Sequence, residues 1–135
     1  VNWTLEVVVV PVSDLDRAKA FYADRLGFTV DHDTAIGGLG RVVQLTPPGS
    51  GCSIVLGTGV VPEMPPGSVK GLQLVVPDLK RARAELVARG VAVTEIQVMG
   101  GTPSPDPHPL DNVGFVFLSD PDGNTWAIQQ ISNRA

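Results

Sequence analysis

The sequence predicts an α+β fold made of two copies of one βαβββ module, and three observations carry that prediction. The stretch "VSDLDRAKAFYADRLGF", Val12 to Phe28, is echoed by "VPDLKRARAELVARGV", Val76 to Val91. At constant offset Val12, Asp14, Leu15, Arg17, Ala18, Ala20 and Arg25 return as Val76, Asp78, Leu79, Arg81, Ala82, Ala84 and Arg89. Apolar residues within both segments recur every three or four positions, the period of an amphipathic helix. Each segment is also followed by β-branched runs and two strand-like stretches joined by a turn. A chain of 135 residues suits one domain, and half that length would be marginal alone, so the two copies are expected to complete a single domain.

In chain order, "LEVVVVPVS" reads as a strand and Asp14 as the N-cap of the first helix, its short carboxylate accepting from the free amides of the first turn. Leu15, Ala18, Phe21, Tyr22 and Leu26 give that helix its apolar face over about three turns. Gly27 suits the left-handed position that ends it, and "FTV" resumes as a strand. "RVVQLT" and "CSIVLG" then form a hairpin around "PPGSG". The second copy repeats the order: "GLQLVVP", the Asp78 cap, a helix with Leu79, Ala82 and Leu86, the stop at Gly90, "VAV", and a hairpin of "VGFVFLS" and "TWAIQQI" around "DPDGN". The Pro- and Gly-rich stretch from Gly57 to Ser68 divides them. The expected layout is therefore module 1 at about 1–57, a linker at about 57–68 and module 2 at about 69–135.

Composition excludes several classes. Apolar residues make up 43% and charged residues 18%, while the longest apolar run, Val7 to Val12, is far shorter than the roughly 20 residues of a membrane span. Net charge is −4, and Lys and Arg fall mostly on the outer faces of the repeated segments, so nucleic acid is not an expected partner. No basic n-region with an apolar core and cleavage site opens the sequence, and the lone Cys52 has no intramolecular partner. A cytoplasmic location is the expectation.

The doubled βαβββ module, the "VSDLDRAKAFYADRLGF" segment and the closing "DPDGNTW" resemble the vicinal oxygen chelate superfamily, which includes glyoxalase I, extradiol dioxygenases, fosfomycin-resistance enzymes and bleomycin-binding resistance proteins. The resemblance covers nearly the whole chain. It implies that each module curls into a half-barrel, that paired modules enclose a cup for substrate or drug, and that the protein is a homodimer. In catalytic members His, Glu or Gln side chains hold a divalent metal, a Lewis acid that chelates vicinal substrate oxygens. The resemblance places those ligands five residues before the valine of "V-x-D" and seven after the first Asp of "DPDG". Here those positions are Val7, Gly71 and Ala127, with Val55 as the fourth by matching "SIVL" to "TWAI". None has a side chain able to bind a metal, so no metal and no cofactor are expected. Moving one residue reaches Glu6 but turns the strand to its opposite face, whereas moving two reaches Gln73 and Gln129 on the same face. Two amides are better read as hydrogen-bond groups in an apolar cup.

The remaining candidates are few. His32 and His108 stand in predicted loops beside acids, each either a solvated loop residue or a ligand contact; His108 is kept as a candidate. A metal shared by these with Asp31, Asp33, Asp106 or Asp111 would require two loops to converge. Cys52 reads as an inert thiol, "DPDGN" as a hairpin turn, and "GGLG" as a lead into a strand and not a phosphate cradle. Phe115 and Phe117 alternate on a strand and so share a side. Phe21, Tyr22 and Phe28 belong to the core, and Trp3 and Trp126 are divided between core and ligand platform. The loop from Gly100 to Gly114, stiffened by alternating prolines from Pro103 to Pro109, reads as a rim or lid or as an inert surface loop.

Together these residues lead to a metal-free protein that sequesters a flat, largely apolar compound, such as a natural-product antibiotic, in a cup between modules. Phe115, Phe117, Trp3 and Trp126 would stack, and Gln44, Ser53, Gln73, Gln129 and His108 would orient. The alternatives are a lyase, isomerase or dioxygenase, metal-dependent or using Glu6, His108 or Asp111 as acid and base, and a regulatory or scaffold subunit without a small ligand.

Overall fold

The computed structural model describes residues 1–102 and 107–133. Two compact units are present, one formed by Val1–Val69 with Asp120–Asn124 and the other by Lys70–Ser119 with Thr125–Ala135. In the first, β1 (Val7–Val9) leads to α1 (Leu15–Ala20), which continues as a π-helical turn over Phe21–Arg25 before β2 (Thr29–Ile36), β3 (Gly40–Thr46) and β4 (Ser53–Thr58). The second contains β5 (Leu72–Val76), α2 (Leu79–Ala88), β6 (Gln97–Val98), β7 (Gly114–Ser119) and β8 (Thr125–Gln130). Each sheet is mixed. Strand order is β1-β4-β3-β2 in one and β5-β8-β7-β6 in the other, so both copies return their fourth strand beside the first. The first strand pairs with the fourth in parallel, which the intervening helix makes possible.

Local chemistry explains the element boundaries. Asp14 and Asp78 are extended caps whose carboxylates accept from the amides of Arg17 at 3.0 Å and Arg81 at 3.1 Å. Gly27 and Gly90 end the helical segments at φ 78° and 79°, a conformation costly for residues with a Cβ. The π-helical turn carries the Leu26 amide back to the Phe21 carbonyl at 3.1 Å, and Tyr22 in this turn is fully buried.

The stretch after β4 is packed against its own unit. The amide of Gly67 donates to the Pro11 carbonyl at 3.1 Å, and a Cβ at this position, where φ is +79°, would lie 2.0 Å from the Asp122 carbonyl oxygen. The hairpin turn over 120–124 belongs to the same unit. Asp120 accepts from the Tyr22 hydroxyl at 2.7 Å and from the Asn124 side chain at 2.7 Å. Asn124 in turn donates to the Pro11 carbonyl at 2.8 Å and accepts from the Val69 amide at 3.0 Å. "DPDGN" is thus a hairpin turn, as its sequence predicts, and also a buried polar lock with every group satisfied.

Two sequence expectations change. His32 is not in a loop: it lies in β2 opposite Gln44, because the strand runs on to Ile36. "VAV" in the second copy does not form a regular strand, and only Val93 makes an isolated bridge, to Leu118, before the short β6. Thr94 is the cause. Its hydroxyl accepts from the Phe117 amide at 3.0 Å, the place a ladder carbonyl would take. Among the described residues no helix is long and apolar enough to cross a membrane.

Candidate ligand-binding site

The second sheet sorts its residues by alternation. Register sets Gln73 beside Ala127, Val75 beside Gln129, Phe115 beside Gln129 and Phe117 beside Ala127, so these six side chains share one face. The other face, with Val116, Leu118, Trp126 and Ile128 all buried, lies on the side where α2 packs on β7 and β8. On the open face the rings of Phe115 and Phe117 stand 6.2 Å apart and within 8° of parallel, both half-buried. They border a hollow of about 310 Å³ that Gln73, Met99, Asn112 and Ala127 also line. A second hollow of about 710 Å³, lined by Val93, Thr94 and Leu118 among others, shares Phe117 and Ala127 with it.

The amides on this face form a directed chain. Gln129 donates through Nε2 to the Asn112 carbonyl at 2.9 Å, and Gln73 donates through Nε2 to Gln129 Oε1 at 2.7 Å. Asn112 has φ 67°, a left-handed conformation that its short polar side chain tolerates. Gln130, the neighbour of Gln129, points the other way: buried, it accepts from the Leu79 amide at 3.0 Å and donates to Asp111 at 3.0 Å. Adjacent glutamines therefore do unlike work, one on the open face and one supporting the first turn of α2.

The first sheet has a comparable face, on which register places Val7 and Val9 of β1, Gln44 of β3, and Ser53 and Val55 of β4. Gln44 is half-buried and Ser53 is buried, with its hydroxyl 2.6 Å from that of Thr46. Thr46 also donates to the Asp31 carboxylate.

The other sequence candidates are dispersed. Trp126 is a core residue and not a platform: it is 3% exposed and shares the helix-side face with Leu72 and Leu118, although one edge borders the larger hollow. Trp3 is 91% exposed in the segment before β1 and takes no part in the core. His108 is exposed and its backbone carbonyl accepts from the Asp111 amide at 3.1 Å. Part of the proline-rich loop, Pro103, Ser104, Pro105 and Asp106, lies outside the described residues. Sequence reasoning missed Met99 and Asn112. Only the Asn-Val-Gly context of Asn112, a residue type that accepts positive φ, could have pointed to it.

Of the acid–base candidates, Asp111 is already engaged by its neighbours. Asp111 is held below the usual carboxylate range, chiefly by the Ser132 hydroxyl and then by the Gln130 amide, and so is a weak base. Glu6 is exposed ahead of β1. The superfamily's metal also does not fit. Val7 and Val55 on the described face of the first sheet and Ala127 on the open face of the second carry no donor, Gly71 lacks a side chain, and the neighbouring Gln73 and Gln129 already bond to each other. Among the described residues no three His, Cys, Asp or Glu side chains are grouped to hold an ion.

Two mixed four-stranded sheets of identical order, each with its first and fourth strands parallel, match the glyoxalase/bleomycin-resistance type of α+β fold. The chain belongs to the Glyoxalase/Bleomycin resistance protein/Dioxygenase superfamily, whose family model matches residues 4–128. It is similar to TnmS3, an antibiotic binding protein from Streptomyces sp. CB03234, at 37% identity over 97% of this chain and 98% of that one, with a TM-score of 0.75. A glyoxalase/bleomycin resistance protein from the same organism shares 37% identity over 94% and 100% of the two chains, TM-score 0.71. A superfamily member from Sphaerobacter thermophilus DSM 20745 shares 28% over 96% and 98%, TM-score 0.76. A search of curated proteins returns no match.

Proposed function

We propose that the protein sequesters a flat, largely apolar small molecule, a natural-product antibiotic in the leading reading, without metal and without turning it over. The observation that carries this is the near-parallel pair of Phe115 and Phe117 on an open face whose described lining, Gln73, Met99, Asn112 and Ala127 among it, has no ionisable side chain. A planar ring laid on such a platform removes apolar area from water at about 25 cal/mol per Å², and aromatic stacking adds about 0.5–1.5 kcal/mol. Similarity to an antibiotic binding protein supports the choice of ligand class. Gln44 and Ser53 on the first sheet are proposed as further polar contacts. The reading carries with it a homodimer in the cytoplasm, which size-exclusion chromatography and cell fractionation would check.

The test is a fluorescence titration with planar polycyclic aromatics, run beside elemental analysis of the purified protein. Phe115→Ala should weaken binding about 10- to 100-fold, the loss of roughly 1.4–3 kcal/mol of stacking and burial. Equal affinities of variant and parent would remove the platform, and one transition-metal ion per chain would remove the metal-free reading.

A further inference from the structure

We infer that Gln73 makes the site selective for a neutral aromatic ligand carrying a hydroxyl or N–H donor, and that Gln129 is the positioning residue that sets this preference. The inference rests on the Phe115/Phe117 platform proposed above. Its own support is the direction of the amide chain. The Asn112 carbonyl can only accept, so the group of Gln129 that faces it at 2.9 Å must be Nε2. That leaves Gln129 Oε1 toward Gln73, and the group facing it at 2.7 Å must then be Gln73 Nε2. Two side chains that could each turn either way are thereby fixed by one backbone carbonyl.

The consequence falls at the end of the chain. Among the described residues no donor reaches Gln73 Oε1, and Gln73 lines the same hollow as Phe115 and Phe117. Its second N–H remains for an acceptor beside that donor. A ring laid on the platform desolvates this oxygen, so a ligand with a hydroxyl at that edge satisfies it and the corresponding methyl ether leaves it bare. A carboxylate at that edge would meet the same oxygen and could take at most the one remaining Gln73 N–H, with no cation to offset its desolvation, since the described lining residues are uncharged. A site built to hydrogen-bond a donor discriminates most strongly against the analogue lacking it.

Three probes separate these cases: 2-naphthol, 2-methoxynaphthalene and 2-naphthoate, titrated at neutral pH into the parent, Gln73→Met and Gln129→Met. Gln73 is exposed in the free protein, so the discrimination arises only once the ring covers its oxygen. In the parent the naphthol should bind about tenfold or more tightly than the ether, with the naphthoate weakest, the loss expected when a polar group covered on binding is left unpaired. Gln73→Met should bring naphthol down to the ether's level. Gln129→Met keeps the Gln73 oxygen but frees its amide to turn, so the naphthol-to-ether ratio should narrow to a few-fold while thermal midpoints hold, a result that a merely structural Gln129 would not produce. Side-chain amide exchange by NMR on the ligand-free parent gives an independent reading, with Gln129 Nε2–H expected to exchange slowly. Equal binding of naphthol and ether, or exchange at the free-amide rate, overturns the inference and leaves the platform standing. Failure of all three probes to bind overturns the platform itself and the inference with it.

Discussion

The two copies of the module differ most in the strand that follows the helix. In the first copy β2 runs for eight residues, paired with β3 along most of its length apart from a bulge between Val30 and His32. Its outer region is tied by charge, with Asp33 bonded to Arg41 at 2.8 Å and to Lys19 at 2.7 Å. In the second copy the equivalent stretch is a single bridge at Val93 and a two-residue β6, separated where Thr94 takes up the Phe117 amide. Regular pairing resumes at Gln97 and Val98, opposite Phe115 and Gly114, and the Met99 amide then donates to the Val113 carbonyl at 2.7 Å. The lesson concerns access: both hollows border the interrupted stretch, one through Val93 and Thr94 and the other through Met99. In the first copy the complete strand closes its stretch of sheet, and in the second the interrupted one leaves two hollows beside it.

The largest test of this contrast addresses the hairpin turns. Asn124→Ala should destabilise the protein by about 3 kcal/mol, because it strips partners from the buried Pro11 carbonyl, the Val69 amide and Asp120. Ser50→Ala in the exposed turn of the first copy should cost less than about 1 kcal/mol, since among the described residues the Ser50 hydroxyl bonds only the Cys52 backbone, and the bond from the Ser50 amide to the Pro47 carbonyl survives the change. Urea unfolding of both variants checks the difference. Comparable losses would mean that the two turns carry equal weight and that the buried lock is not special.

Next in size is Thr94→Val. Deleting the hydroxyl leaves the Phe117 amide without its acceptor, a loss of about 1 kcal/mol, and hydrogen exchange at Phe117 should accelerate. If exchange instead slows, the chain has closed into a regular strand and the interruption was set by Thr94 alone.

A smaller effect separates the copies by pH. The Arg41 and Lys19 bonds hold Asp33 well below the ordinary aspartate value of 3.8. Burial would raise Asp122, but the Ser13 hydroxyl and amide and the Arg17 charge outweigh it and lower it. Asp111 is also lowered, by Ser132 first. With native values depressed, the unfolded chain takes up protons first as pH falls. The stability these groups contribute is complete above about pH 4 and is lost progressively below it as their native values are approached. Asp33→Asn should make that acid decline shallower in urea unfolding at successive pH values, and an unchanged slope would show that the charged tie of β2 does not couple to folding. Smallest of all should be the effect of pH on binding. With no ionisable side chain in the described lining, affinity for a neutral aromatic should stay within about twofold between roughly pH 5 and pH 9. A titration midpoint inside that range would assign an ionisable group to the site.

What could be read in advance follows a physical boundary. Asp14, Asp78, Gly27 and Gly90 were legible because a cap or a left-handed stop is satisfied within a few residues of itself. The shared side of Phe115 and Phe117 was legible because strand alternation is local. The same alternation left Trp126 open, since burial on one face or the other looks alike along the chain. Gln129 and Gln130 illustrate the limit. Their residue types are identical, and only the pairing of β8 with β5 and β7 assigns one to the amide chain and the other to α2.

By itself the sequence determined the doubled βαβββ order, the helix boundaries, the side of each strand that phenylalanine and glutamine share, and the missing donors at Val7, Val55, Gly71 and Ala127. All of these depend on residue type and on spacing within a few positions. Tertiary structure alone decided that Tyr22 would reach Asp120 across 98 positions and Asn124 would reach Pro11 across 113. It also decided that Thr94 would interrupt its strand and that Asn112 would orient Gln129 and, through it, Gln73. Those bonds join groups with no local signal of one another, because a hydrogen bond is specified by the meeting of its two ends, and only the folded chain brings such ends together.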